Sequence, residues 1–136
     1  MYNDVNEFLN KVQIETQSEP QLLANHVMVN RFNHMQEELN EFQYANNMSD
    51  LHGCVDALID LVYVALGTAK MMGLSEEQWT ECFNRVHDAN MQKTYGKVEG
   101  HKFGVKKPDD WQAPNFNGIL PTDEEYPIEG ELYSVF

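Results

Sequence analysis

Five carboxylates stand on two stretches of this chain where they can act together. Glu37, Glu38 and Glu41, in RFNHMQEELNEF, fall within an arc of about 100° on a helix of roughly 3.6 residues per turn. Asp56 and Asp60 are the only charges in VDALIDLVYVALGTA, one turn apart and therefore on one face of a helix. A carboxylate set among valines and leucines is costly unless a cation or another partner compensates it. Fourteen residues separate Glu41 from Asp56, enough to end one helix, turn, and begin an antiparallel partner. The two acidic faces then meet. Carboxylates crowded into a small volume repel one another unless a divalent metal joins them. Oxygen-only donors favour Mg²⁺ or Mn²⁺ over zinc or copper, and such an ion is suited to work on phosphate oxygens. EExxE alone is ordinary solvated helix surface. The aspartates are harder to dismiss, because the only nearby base is Lys70.

The helices that must carry these groups follow from the period of the apolar residues. Val5, Phe8, Leu9 and Val12 predict a first helix over about Asp4 to Gln13. Ser18 and Pro20 end that pattern. A long helix follows over about Gln21 to Asn46, with Leu22, Val29, Phe32, Met35, Leu39 and Phe42 on its inner side. Ser49 or Asp50 caps a third helix that runs to about Met72 and stops at Gly73. Ser75 with Gln78 forms a capping box for a fourth, which carries Trp79, Phe83 and Val86. From Gly96 onward glycines, prolines and isolated aromatics predict an irregular arm, with short strands near Lys97 to Val105 and an acidic tail. The reading is an all-α domain over residues 1–95, with residues 96–136 as its C-terminal arm and tail.

Charge and composition narrow the function classes. The chain has 136 residues and a net charge of −13, from 22 acidic and 9 basic side chains. A nucleic-acid polymer is a poor partner for that surface, because phosphate backbones select basic ones. More than half of the nine basic residues are Lys93, Lys97, Lys102, Lys106 and Lys107, a cationic arm able to meet a small polyanion, or simply a solvated loop. The apolar run around Asp60 reads as too short, and too charged at its start, to span a membrane, and the polar N-terminus does not read as a signal peptide. Cys54 and Cys82 sit inside helical patterns, which favours free thiols and a reducing cytoplasm over a disulfide framework. His34, His52 and His87 with those cysteines match no standard zinc spacing. Trp79, Tyr95 and Trp111 are candidates to stack on a base, with core packing the plainer role for Trp79.

RFNHMQEELNEF, VDALIDLVYVALGTA and HDANMQKTYGKV together resemble the all-α NTP pyrophosphatases, the MazG-type superfamily that includes dimeric dUTPases and phosphoribosyl-ATP pyrophosphohydrolases. The likeness covers about Arg31 to Pro114 and is strongest for small bacterial and phage-encoded members, some of which act on purine deoxynucleotides. It implies a four-to-five-helix bundle and hydrolysis of a nucleoside triphosphate between its α- and β-phosphates, giving monophosphate and pyrophosphate. It implies Mg²⁺ held by Glu38, Glu41 and Asp60, with Asp56 a fourth ligand. Glu37 becomes the residue that orients or deprotonates the attacking water. Asn90 and Lys93 match the family's asparagine–lysine pair for phosphate or sugar, and Arg31, Lys97 and Lys106 join them as substrate contacts. It also implies a homodimer or homotetramer in the cytoplasm (the host's, for a phage-encoded chain), a state that a thin layer of helices with many apolar faces favours independently. One departure stands out. The family's second motif is commonly ExxD, and Ala57 occupies its glutamate position while Asp56 lies one residue earlier, about 100° away. A carboxylate-bridged di-iron protein would carry ExxH where this chain has EExxE, and a non-catalytic assembly module is the reading that Ala57 favours.

Overall fold

The computed structural model describes residues 1–96 and 104–122. Its helices are α1 (Tyr2–Lys11), α2 (Asn25–Asn47), α3 (Leu51–Met71) and α4 (Glu76–Met91), followed by the short antiparallel strands β1 (Thr94–Tyr95) and β2 (Val105–Lys106). The all-α expectation holds. The described residues pack as two units, Met1–Ser75 and Glu76–Thr122.

In the first unit the three helices end in one device. The residue two beyond each helix takes positive φ: Gln13 at 60° after α1, Ser49 at 56° after α2 and Gly73 at 96° after α3. Paired backbone bonds close each end, as in Gly73 N–H to Lys70 O and Leu74 N–H to Ala69 O, the Schellman arrangement that satisfies the last carbonyls. Asp50 then serves the next element, its side chain accepting from Gly53 N–H at 3.0 Å as the N-cap of α3. Of the two caps expected there, Asp50 is the one used, because Ser49 is committed to the left-handed turn.

Helix α2 starts at Asn25 rather than Gln21. Gln17 and Gln21 instead donate to the carbonyls of Met71 and Met72, so the residues flanking Pro20 run along the end of α3. That close approach requires a glycine. A Cβ on Gly73 would stand 2.1 Å from the Glu19 carbonyl oxygen.

Helix α3 packs along α2 and also carries α1. Its core residues include Ala57, Val64, Leu66 and Ala69, meeting Val5 and Leu9 from α1 and Ala45 from α2 among the buried set. Tyr2 joins them, its hydroxyl donating to Leu74 O, and burial pushes its phenol up to about 12. The inner faces expected for α1 and α2 are only partly covered. Phe8, Val12, Leu22, Phe32 and Leu39 are exposed, as are Val55, Leu58, Ile59 and Val62 on α3. A helix apolar on nearly every side cannot bury its whole surface against two neighbours. At 21 residues, α3 also meets a bare length-and-composition test for crossing a membrane, one that the core helix of a soluble protein meets as well.

In the second unit the arm is tied to α4. Arg85 Nη1 donates to the carbonyls of Asn115 and Asn117, and Trp111 Nε1 donates to Ala89 O. Strands form near the expected place, pairing Thr94 with Lys106 and Tyr95 with Val105. Lys97, Lys102 and the acidic tail from Asp123 lie outside the described residues.

Gly73→Ala should lower the unfolding free energy by about 2 kcal/mol or more, since it combines a left-handed backbone with a backbone clash. Thermal melting followed by circular dichroism reads this as a fall of several degrees. A midpoint within one degree of the parent would contradict the account of this turn.

Candidate metal centre

Glu38 is the one buried charged side chain among the described residues, only 8 % exposed. Helix α2 turns it toward α3, and Asp60 meets it there. Glu38, Glu41 and Asp60 each offer an oxygen, and the three oxygens lie within 4.8 Å of one another. Glu41 follows Glu38 by three residues, so one helix supplies two of the carboxylates from one face and the other supplies the third. Asp60 is half-buried and Glu41 exposed, which leaves the group open on one side.

The electrostatics are those of an uncompensated acidic cluster. Burial holds the Glu38 carboxyl above its ordinary range, and the charges of Glu41, Asp60 and Glu37 push the same way. Glu38 Oε2 is buried with no hydrogen-bond partner, a rare condition for an oxygen with two lone pairs. Its sister Oε1 lies 3.6 Å from His34 Nε2, one turn earlier and half-exposed. A divalent cation fits this donor set. It would satisfy the orphaned oxygen, cancel the repulsion, and find only hard oxygen ligands.

The other residues of the acidic pattern are placed differently. Asp56 is exposed and outside the group of three, which corrects the expectation that both aspartates of α3 are buried among valines and leucines. Ala57, one turn before Asp60, is 1 % exposed and packed in the core. Asp56 is rotated about 100° from that position, which is why a one-residue shift takes its carboxylate away from the cluster. Glu37 is exposed on α2.

Arg31 is half-buried and spans from α2 to α3. Its Nε donates to Thr68 Oγ1 at 3.0 Å and its Nη2 to the Val64 carbonyl at 3.0 Å. Burial lowers its pKa from the ordinary arginine value. Gly67 makes room for it, because a Cβ there would lie 3.0 Å from Nη2. These bonds tie the two ligand-bearing helices together one turn or more from the acidic group. Beside Arg31 opens an apolar cavity of about 350 Å³, lined in part by Met28, Phe32, Met35 and Thr68.

In the second unit Asn90 and Lys93 are joined, Lys93 Nζ donating to Asn90 Oδ1 at 2.9 Å. Lys106 stands exposed in β2. The sequence reading missed two features. His34 beside Glu38 was legible as an i,i+4 pair, whereas the meeting of Lys93, Lys107 and Trp111 across the arm has no local signal. Cys54 and Cys82 are free thiols, as expected.

Residues 4–90 match the family model described as phosphoribosyl-ATP pyrophosphohydrolase. No curated protein matches the chain.

Without metal, Glu38 holds its proton at a pH where the unfolded chain has released it. Stability must therefore fall as pH rises from the ordinary carboxylate range through the raised Glu38 value. Melting curves in EDTA should show this fall, added Mg²⁺ should reduce it, and Glu38→Gln should remove it while raising the metal-free midpoint. An unchanged pH slope in Glu38→Gln would contradict the assignment.

Proposed function

The chain belongs to the phosphoribosyl-ATP pyrophosphohydrolase family, and we propose that it is a divalent-metal-dependent nucleotide pyrophosphohydrolase. In this reading it cleaves a nucleoside triphosphate group between the α- and β-phosphates, releasing a nucleoside monophosphate and pyrophosphate, with purine deoxynucleotides among the candidate substrates. The observation that carries it is the buried, partnerless Oε2 of Glu38, held with Glu41 and Asp60 as one oxygen donor set. The family's own name places phosphoribosyl-ATP, which contains the same anhydride, beside the nucleotides to be tested.

Glu38, Glu41 and Asp60 would hold Mg²⁺, with Mn²⁺ as the alternative, and Asp56 would act through water. The ion supplies charge neutralisation of the polyphosphate and a lowered pKa for ligated water. Glu37 orients the attacking water and accepts its proton. Asn90 and Lys93 bind phosphate or sugar oxygens, with Lys97 and Lys106 as further cationic contacts. Arg31 keeps α2 and α3 in register, which fixes the ligand set, and the apolar cavity beside it is large enough for a nucleobase. Positioning and charge neutralisation dominate phosphoryl chemistry, which favours a site built of carboxylates and lysines.

The exposed apolar row Val55, Leu58, Ile59 and Val62 on α3 supports assembly as a homodimer or homotetramer. Two free thiols support a cytoplasmic setting.

Pyrophosphate release is the test, measured over a panel of NTPs, dNTPs and phosphoribosyl-ATP with Mg²⁺ and with EDTA. Turnover with Mg²⁺ alone is expected. Asp60→Asn should lower kcat/KM at least about 100-fold, a loss comparable to removing a group that stabilises transition-state charge, while helix content stays intact. No turnover on any of these substrates would leave the fold as a non-catalytic module and end the enzyme reading.

A further inference from the structure

Beyond residue 90, where the family match ends, the unit Glu76–Thr122 gathers two ammonium groups on one indole. Lys93 Nζ lies 5.0 Å and Lys107 Nζ 4.5 Å from the centre of the Trp111 ring. The ring is held in place by its N–H, which donates to Ala89 O in α4 at 2.7 Å. Lys93 is held as well, through its bond to Asn90 Oδ1.

Among the described residues the cluster has no counter-charge. The chain carries 22 acidic residues against 9 basic ones, so an ammonium group has abundant carboxylates to pair with. Yet among the described residues neither Lys93 nor Lys107 has a carboxylate oxygen within 4.0 Å, although Asp109 and Asp110 immediately precede Trp111. Two like charges brought to one ring repel each other. The negative face of the indole offsets part of that repulsion and fixes where each ammonium stands. An aromatic ring already engaged by two cations is not a free platform for a base, so stacking is not its part.

We propose that Lys93 and Lys107, gathered on the Trp111 ring, form a binding site for a phosphate-class polyanion, with Trp111 as its positioning residue. The ligand is the diphosphate portion of the substrate or the pyrophosphate released from it, so the proposal rests on the reaction inferred above. Lysine binds phosphate as a compact point charge, and a diphosphate presents several negative oxygens to two such charges at once. Lys93 is the lysine of the pair already assigned to phosphate or sugar; Lys107 and Trp111 are what the arm adds to it.

Calorimetric titration of the full chain with sodium pyrophosphate in EDTA reads this site without turnover or metal. Lys107→Ala should weaken binding about tenfold. Trp111→Leu should do the same, and Trp111→Phe, which keeps a ring, should fall between it and the parent. Lys11→Ala, which removes an exposed lysine at the end of α1, should stay within twofold. In the hydrolysis assay Lys107→Ala should raise KM and leave kcat near the parent's. A non-hydrolysable triphosphate analogue distinguishes the source: if Lys107→Ala weakens it too, the site holds the substrate tail, and if not, the product. Pyrophosphate affinity within twofold of the parent in Lys107→Ala overturns the proposal, even if nucleotides are hydrolysed. Loss of pyrophosphate binding in Lys107→Ala, in a chain that hydrolyses no nucleotide, would uphold this site and reject the reaction.

Discussion

A carboxylate withdrawn from water, with two more carboxylates beside it and one oxygen left without a partner, is the constraint around which the first unit is arranged. Glu38 occupies that position on α2, and its neighbours Glu41 and Asp60 add repulsion to the cost of burial. A protein relieves such a cost by protonation, by an opposing side-chain charge, or by a bound cation. Among the described residues the one basic group paired with Glu38 is His34, half-exposed at 3.6 Å. At that distance the contact is longer than a hydrogen bond, and the imidazole stays half in solvent. A divalent metal would be a compensation that also accounts for all three acids facing one another.

The rest of the first unit serves to keep α2 and α3 in register. Arg31 bonds the Thr68 hydroxyl and the Val64 carbonyl, Gly67 leaves it the room to do so, and Ala57 allows close packing one turn before Asp60. The Schellman turn at Ser49 and the cap at Asp50 set how α2 gives way to α3. Carboxylates from two helices converge only if this turn and this tie agree. The departure from ExxD has a physical sense in that setting. Ala57 fills a core position that a longer side chain could not enter without displacing its neighbours, so three acids, not four, are brought together here.

Helices, caps and the acidic trio were legible because their signals are local. The 3.6 period placed α1, α3 and α4 to within a few residues, and Gly73 marked the end of α3. EExxE followed by two aspartates on the next helix was enough to nominate five carboxylates, and the family resemblance singled out Glu38, Glu41 and Asp60 among them. What local pattern could not reveal was orientation on α3. A helix apolar on nearly every side has no face that declares itself inner, so Asp56 and Asp60 read alike although one is exposed and the other meets Glu38. The same ambiguity hid the exposure of Phe32 and Leu39 on α2. The start of α2 moved to Asn25 because Gln17 and Gln21 bond to the end of α3, a tertiary choice. Partners distant in sequence, Arg31 with Thr68 and Lys107 with Trp111, leave no trace in spacing.

The central claim is that these three acids take one divalent ion. Anomalous diffraction from crystals grown with Mn²⁺ tests it most directly, because manganese can be located without assuming its ligands. The account predicts a strong anomalous peak bonded to oxygens of Glu38, Glu41 and Asp60. Manganese found elsewhere, with these carboxylates turned apart and bare, would contradict it.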